Sequence, residues 1–314
     1  MVLIKTVIKQ LPDGRLDRVI PFHVSFEGLE KAIICRDDED YDRMVKCIFV
    51  CARRKNVLVI TYVVVSNHAH LAILARNIKE ANEYAEEVKR VFSMQIKNRN
   101  GESKILKGTD VNVQVLDTLW YLRNALAYII RNAFDNGATN IYEYKWSGFR
   151  AAFCKKLSGR TIPVSSLTKR ERENIMHTGD TLKDVSWLLN ESYELEPVSA
   201  CETAYLEQAF NNDQSFFLRC IGTVNTSEMT QKLVISPRVK KTDGDLLKEA
   251  EELSCRWFSC NLSMLTSEKK ARLLPYIYRS AKTSIAQLSR IFGLNHETVS
   301  RLLNKKQAMA QDGD

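Results

Sequence analysis

Two histidines, a tyrosine and an asparagine carry the residue types and spacings in this 314-residue chain that best suit chemistry. His68 and His70 stand two apart in a segment, His68–Leu74, that reads as a strand, so both side chains leave the same face. Two adjacent imidazoles suit a divalent cation, although a bare His-x-His also arises in packed strands with no ligand role. Tyr128 and Asn132 are spaced i and i+4 on a predicted helix, one above the other. A tyrosine hydroxyl, with an intrinsic pKa of about 10, becomes a nucleophile only as it loses its proton. Within Ala127-Tyr128-Ile129-Ile130 it also fits as a core side chain.

The elements that must position these residues follow from periodicity. Val19–Glu27 alternates apolar and polar residues and reads as a strand closed by Gly28. Asp37–Arg53 opens with acids and repeats Tyr41, Met44, Val45, Ile48 and Cys51 at helical spacing. Val57–Val65 is a β-branched run suited to a buried strand, and Ser66-Asn67 is a short turn into the histidine strand. Ile78–Lys97 is amphipathic, Asn98–Gly108 is a polar basic loop, and Val111–Leu116 is a fourth strand. Asp117 then caps a helix expected to reach Asn136, with Gly137 ending it. The resulting α+β order, β-α-β-β-α-β-α, is the ferredoxin-like split βαβ arrangement with one added, tyrosine-bearing helix.

Residues 155–244 read as a mixed connecting region, with helices expected over Thr181–Glu191 and Ala204–Cys220. Beyond Leu246 the pattern is all helical to Asn304, giving a second unit over 245–306 and a frayed tail over 307–314. Ser284–Ile291 and His296–Asn304 form a helix-turn-helix pattern around Phe292-Gly293-Leu294, with Asn295 capping the second helix. The exposed candidates on that helix are His296, Glu297, Thr298, Ser300 and Arg301. Arg279, Lys282, Lys305 and Lys306 suit phosphate contacts. A helical bundle with a solvated basic face is the plain alternative.

Composition agrees with a polyanionic partner. The net charge is +8, and Thr266–Lys306 holds nine basic residues against two acidic ones, so most of the excess is C-terminal. The hydrophobic fraction of 45% supplies a core without disulfides. The eight cysteines have no CxxC spacing, which argues against a zinc module and fits a reducing cytoplasm. No apolar run approaches the roughly 18 residues of a membrane span.

Over residues 20–150 the chain resembles the REP-associated tyrosine transposases, a group of HUH single-tyrosine transposases. Phe22-His23-Val24 stands where that family has Tyr-His-Val, and Asp37-Asp38-Glu39-Asp40-Tyr41 matches its acidic run. Ser66-Asn67-His68-Ala69-His70-Leu71 matches Pro-Asn-His-x-His-Leu, Tyr128-Ile129-Ile130-Arg131-Asn132 matches Tyr-Ile-x-x-Asn, and Trp146-Ser147 matches a trailing Trp-Ser. The chain departs at Ala69, at Ala133 in place of a proline, and at Lys107-Gly108-Thr109 in place of a basic Gly-Arg-Phe.

The resemblance implies a catalytic domain over 1–154 in which His68, His70 and Asn132 bind Mg²⁺ or Mn²⁺. Tyr128 would attack single-stranded, hairpin-bearing DNA, leaving a 5′-phosphotyrosine and a free 3′-hydroxyl. His23 would be either a support for the ligands or a strand-packed residue. The run from Lys269 is similar to the C-terminal duplex-binding domain of the replication initiator DnaA, which implies duplex contact there. The family includes monomers and homodimers, and implies a bacterial cytoplasmic protein at the nucleoid when DNA-bound. The competing reading is a helix-turn-helix regulator whose N-terminal domain is inactive.

Overall fold

In the computed structural model the first half of the chain runs β1 (Val7–Gln10), β2 (Leu16–Glu27), α1 (Asp38–Arg54), β3 (Leu58–Val64), β4 (His68–Ala75), α2 (Ile78–Asn100), β5 (Asn112–Val115) and α3 (Leu119–Arg131). The structure describes residues 3–308 apart from 5, 28–32, 102–110, 137, 139, 155, 156, 158, 223–242, 281, 282 and 284. The strands form one antiparallel sheet in the order β5-β2-β4-β3, with β1 paired to the N-terminal part of β2. Leaving β1 aside, this is the ferredoxin-like order, in which the first and third strands lie at the centre.

Register decides which side chains share a face. Ser25 lies opposite His70, His23 opposite Ala72, and the backbone of Glu27 opposite His68. Directly opposed residues point to the same side of a sheet, so His23, His68 and His70 emerge together. β3 and β4 are buried almost throughout, as their apolar runs require. α1 and α2 pack on each other and on the sheet, and α3 covers β3 and β4 beside the histidines.

The helix ends are chemically specified. Asp37 caps α1 by accepting from the Asp40 N–H at 3.0 Å, a type of contact typically worth about 1 kcal/mol. Arg99, near the end of α2, holds both Asp37 (2.7 Å) and the fully buried Asp40. The acidic run therefore fastens the two helices together. Gly101 ends α2 in the left-handed region at φ 73°, a position glycine takes without strain.

Several expectations are corrected. β1 adds a strand to the expected order; it forms because Pro12-Asp13-Gly14 turns the chain, with the Gly14 N–H donating to the Leu11 carbonyl at 2.8 Å. α2 runs to Asn100, past the expected start of the basic loop, and residues 102–108 of that loop lie outside the described residues. Thr118, not Asp117, caps α3, because its hydroxyl accepts from the Tyr121 N–H at 3.2 Å. That helix ends at Arg131 and tightens into a 3₁₀ turn over Asn132–Asn136, while Gly137 lies outside the described residues.

Thr181–Glu191 is not a helix. Leu182 is left-handed at φ 43°, Asp184 is held by Arg53 at 2.7 Å, and Leu188-Leu189 pairs with Ile162-Pro163. Ala204–Cys220 is interrupted, since α5 (Thr203–Ala209) stops before Asn211 and Asn212, both with positive φ. Before it lies α4 (Lys169–Met176), closed by left-handed His177. Side chains of this stretch, among them Val164, Trp187, Leu206, Phe210 and Ile221, join the apolar cluster of the sheet.

The remaining helices are α6 (Asp243–Phe258), α7 (Ser267–Ser280), α8 (Ile285–Phe292) and α9 (His296–Ala308). They bury a second cluster that includes Leu246, Leu253, Leu274, Leu288, Phe292 and Val299, joined by Ile33. Gly293 turns the chain between α8 and α9 at φ 61°, and Asn295 accepts from the Thr298 N–H at 2.7 Å to start α9.

Candidate active site

The four residues singled out by spacing converge, and a fifth joins them. β4 presents His68 and His70 with ring centroids 5.0 Å apart. α3 brings the Tyr128 ring to 5.2 Å from His70, edge-on. β2 adds His23, whose Nε2 lies 3.1 Å from His70 Nδ1 with the rings stacked.

Asn132 is the C-cap of α3, and this placement fixes its amide. Its Nδ2 donates to the Tyr128 carbonyl at 2.8 Å. Its Oδ1 therefore faces outward, 3.4 Å from His68 Nε2. On its other side, His68 Nδ1 lies 2.9 Å from Asn67 Oδ1.

A neutral imidazole has one N–H and an amide oxygen can only accept. In the tautomer protonated at Nδ1, His68 donates to Asn67. That leaves the lone pair on Nε2 aimed at the lone pairs of Asn132 Oδ1. Two acceptors facing each other repel unless something positive lies between them.

Burial disfavours the charged form of the other two histidines. Burial pushes His23 down to about 4. It also pushes His70 well below the usual histidine value, with like charge on His68 and His23 adding to the effect. If His70 Nδ1 donates to His23, the Nε2 of His70 is the nitrogen left with a lone pair. The donor set is then two imidazoles and one amide oxygen, which suits a cation that keeps positions open for phosphate oxygens and water. Among the described residues no three His, Cys, Asp or Glu side chains converge on a metal position. A cation here would rest on that mixed set.

Tyr128 is half-buried, and the Arg131 guanidinium lies 5.2 Å from its ring centroid. The Trp146-Ser147 segment docks on β3: the Val64 N–H donates to the Trp146 carbonyl at 2.9 Å, Ser147 bridges Val63, and the Trp146 ring stacks on Tyr41 at 5.4 Å.

The candidates for DNA contact lie elsewhere, on the helical unit. His296 and Arg301 are exposed on α9, whereas Thr298 and Ser300 are half-buried. The side chains of Arg279, Lys282 and Lys305 lie outside the described residues. Arg290, counted in the basic excess, is committed to Asp243 at 2.5 Å. Sequence reasoning missed Asp243 and the part played by Ser66. Their contact spans 177 positions and leaves no periodic signal.

No family model matches the chain, and no curated protein does. Among solved structures, a REP-associated tyrosine transposase bound to a REP hairpin overlaps 44% of this chain and 82% of its own, at 14% identity and a TM-score of 0.36.

Proposed function

We propose that the chain is a cation-dependent endonuclease and strand transferase for single-stranded, hairpin-bearing DNA, with Tyr128 as nucleophile. The observation that carries this reading is that the Tyr128 ring lies 5.2 Å from His70 on the same face where His68 Nε2 comes within 3.4 Å of Asn132 Oδ1. Binding alone needs neither a half-buried phenol against His70 nor an amide pinned to face an imidazole.

His68, His70 and Asn132 would hold Mg²⁺ or Mn²⁺, which when bound polarises a phosphate oxygen and offsets its charge. The chain's own residues supply the rest. Asn132 and Tyr128 share one helix end, so the nucleophile and an oxygen ligand move as a unit. His23 orients His70. The phenolate oxygen of Tyr128 forms a bond to phosphorus, the bond from phosphorus to the 3′ oxygen breaks, and that oxygen leaves as a 3′-hydroxyl after taking a proton. The phosphotyrosine retains a phosphodiester bond, so a second 3′-hydroxyl can reverse the step and join strands. α9, with exposed His296 and Arg301, supports a separate grip on duplex DNA.

The test is incubation of the full chain with labelled hairpin oligonucleotides and Mn²⁺. A protein–DNA adduct that survives denaturation is expected, and Tyr128→Phe should abolish it. Cleavage that persists in Tyr128→Phe would remove the tyrosine mechanism.

A further inference from the structure

Asp243 begins α6, and its carboxylate is completely buried. Two residues remote in sequence satisfy it. Arg290 of α8 donates from Nε at 2.5 Å and from Nη2 at 2.9 Å. Ser66 donates from Oγ at 2.5 Å. A buried carboxylate is tolerated only when paired and hydrogen-bonded in this way.

Ser66 is the middle residue of the three-residue loop between β3 and β4, closed by the Val65 N–H donating to the His68 carbonyl at 2.9 Å. It is gripped from the other side as well: its own carbonyl accepts from the N–H groups of Ile34 (2.7 Å) and Cys35 (2.9 Å). The next residue is Asn67, whose Oδ1 lies 2.9 Å from His68 Nδ1. A continuous path thus runs from Arg290 through Asp243 and Ser66 to the residue that contacts His68 Nδ1. The same junction is reinforced by packing, because Ile33 belongs to the helical cluster and Ile34 to the sheet core.

We propose that Asp243, held by Arg290, is a positioning residue for His68: docking of the helical unit completes the histidine site through Ser66 and Asn67. In so tight a loop, Ser66 cannot shift without moving Asn67. Loss of the Arg290 pair leaves a buried carboxylate short of partners that must move toward water, and that movement disturbs the Ser66 contact. The purpose of this positioning rests on the cation-dependent reading above, but the coupling itself does not.

The test uses the full chain, metal-free and ¹⁵N-labelled at histidine, with the His68 ring nitrogens assigned through His68→Gln. In the unaltered chain His68 should show a single Nδ1–H tautomer. Arg290→Gln should shift its ring signals toward a tautomer mixture, Ser66→Ala should do the same, and the double variant should go no further than either alone. Arg290→Lys, which keeps the cation, should recover part of the original signal. Mn²⁺ affinity, read by titration of the metal alone, should fall by roughly tenfold in Arg290→Gln, as for other supporting residues of metal ligands.

Lowered melting temperature with unchanged His68 signals in Arg290→Gln would reduce Asp243 to a structural tie and overturn the proposal. A chain that shows the tautomer shift yet never binds Mn²⁺ would sink the cation-dependent reading and leave the coupling standing.

Discussion

The Nδ2 of Asn132 is tied to the carbonyl of Tyr128 at 2.8 Å, and that bond turns Asn132 Oδ1 toward His68 Nε2. One side chain therefore both ends a helix and presents an amide oxygen to His68. Asn132→Ala should lose about 1 kcal/mol of stability from the missing hydrogen bond and should weaken Mn²⁺ binding. Asn132→Asp should bind Mn²⁺ more tightly but melt lower without it, because a carboxylate oxygen would then face the Tyr128 carbonyl. Thermal melts with and without Mn²⁺ check both, and equal Mn²⁺ stabilisation of all three proteins would refute the assignment.

The facing of these groups was half legible in the sequence. Alternation along β4 put His68 and His70 on one face, and helical spacing put Tyr128 above Asn132. Which face of the helix met which face of the sheet depended on the register Ser25↔His70 and on Thr118 ending the extended run. His23 could be read only as a support or a packed residue until that register placed it beside His70. Nothing local marks Thr181–Glu191 as irregular, because its shape comes from distant partners such as Arg53. The same holds for Asp243, whose role exists only once Ser66 and Arg290 have come together.

Stability should fall in mild acid. His23 and His177 are each pushed down to about 4 by burial, with Arg43 and Lys46 adding to the effect at His177. The unfolded chain takes up these protons near pH 6.5, so the stabilisation is complete above that pH and is lost as pH drops toward 4. His177 closes α4 at φ 51°, a conformation asparagine accepts. His177→Asn should therefore flatten the decline between pH 6.5 and 4 in denaturant melts, without changing adduct yield at neutral pH. An unchanged slope would mean that His177 does not contribute to it.

Gly148 permits the Trp146-Ser147 segment to lie against β3. A methyl group there would sit 2.6 Å from Thr61 Oγ1 and 3.1 Å from the Tyr62 nitrogen. Gly148→Ala should cost about 1–3 kcal/mol. Adding Thr61→Ala should restore only part of the loss, because the backbone contact remains. Full restoration would show that the side chain alone resists the docking.

Arg301 is exposed on α9, away from the buried core of that unit. Arg301→Ala should weaken duplex binding and reduce its salt dependence by about one ion. The yield of Tyr128 adduct on short hairpins should not change. A parallel loss of both would argue that one surface serves both forms of DNA.

The interior of the sheet draws side chains from as far along as Ile221, whereas the helical cluster starts again at Leu246. The seam for exchanging modules therefore lies beyond the middle region, not before it. A chimaera that replaced α6–α9 with another binding unit would keep the sheet interior whole and lose chiefly Ile33's neighbours and the partner of Ser66. On the proposed function, target choice and strand cutting would stay linked through that one hydroxyl–carboxylate contact.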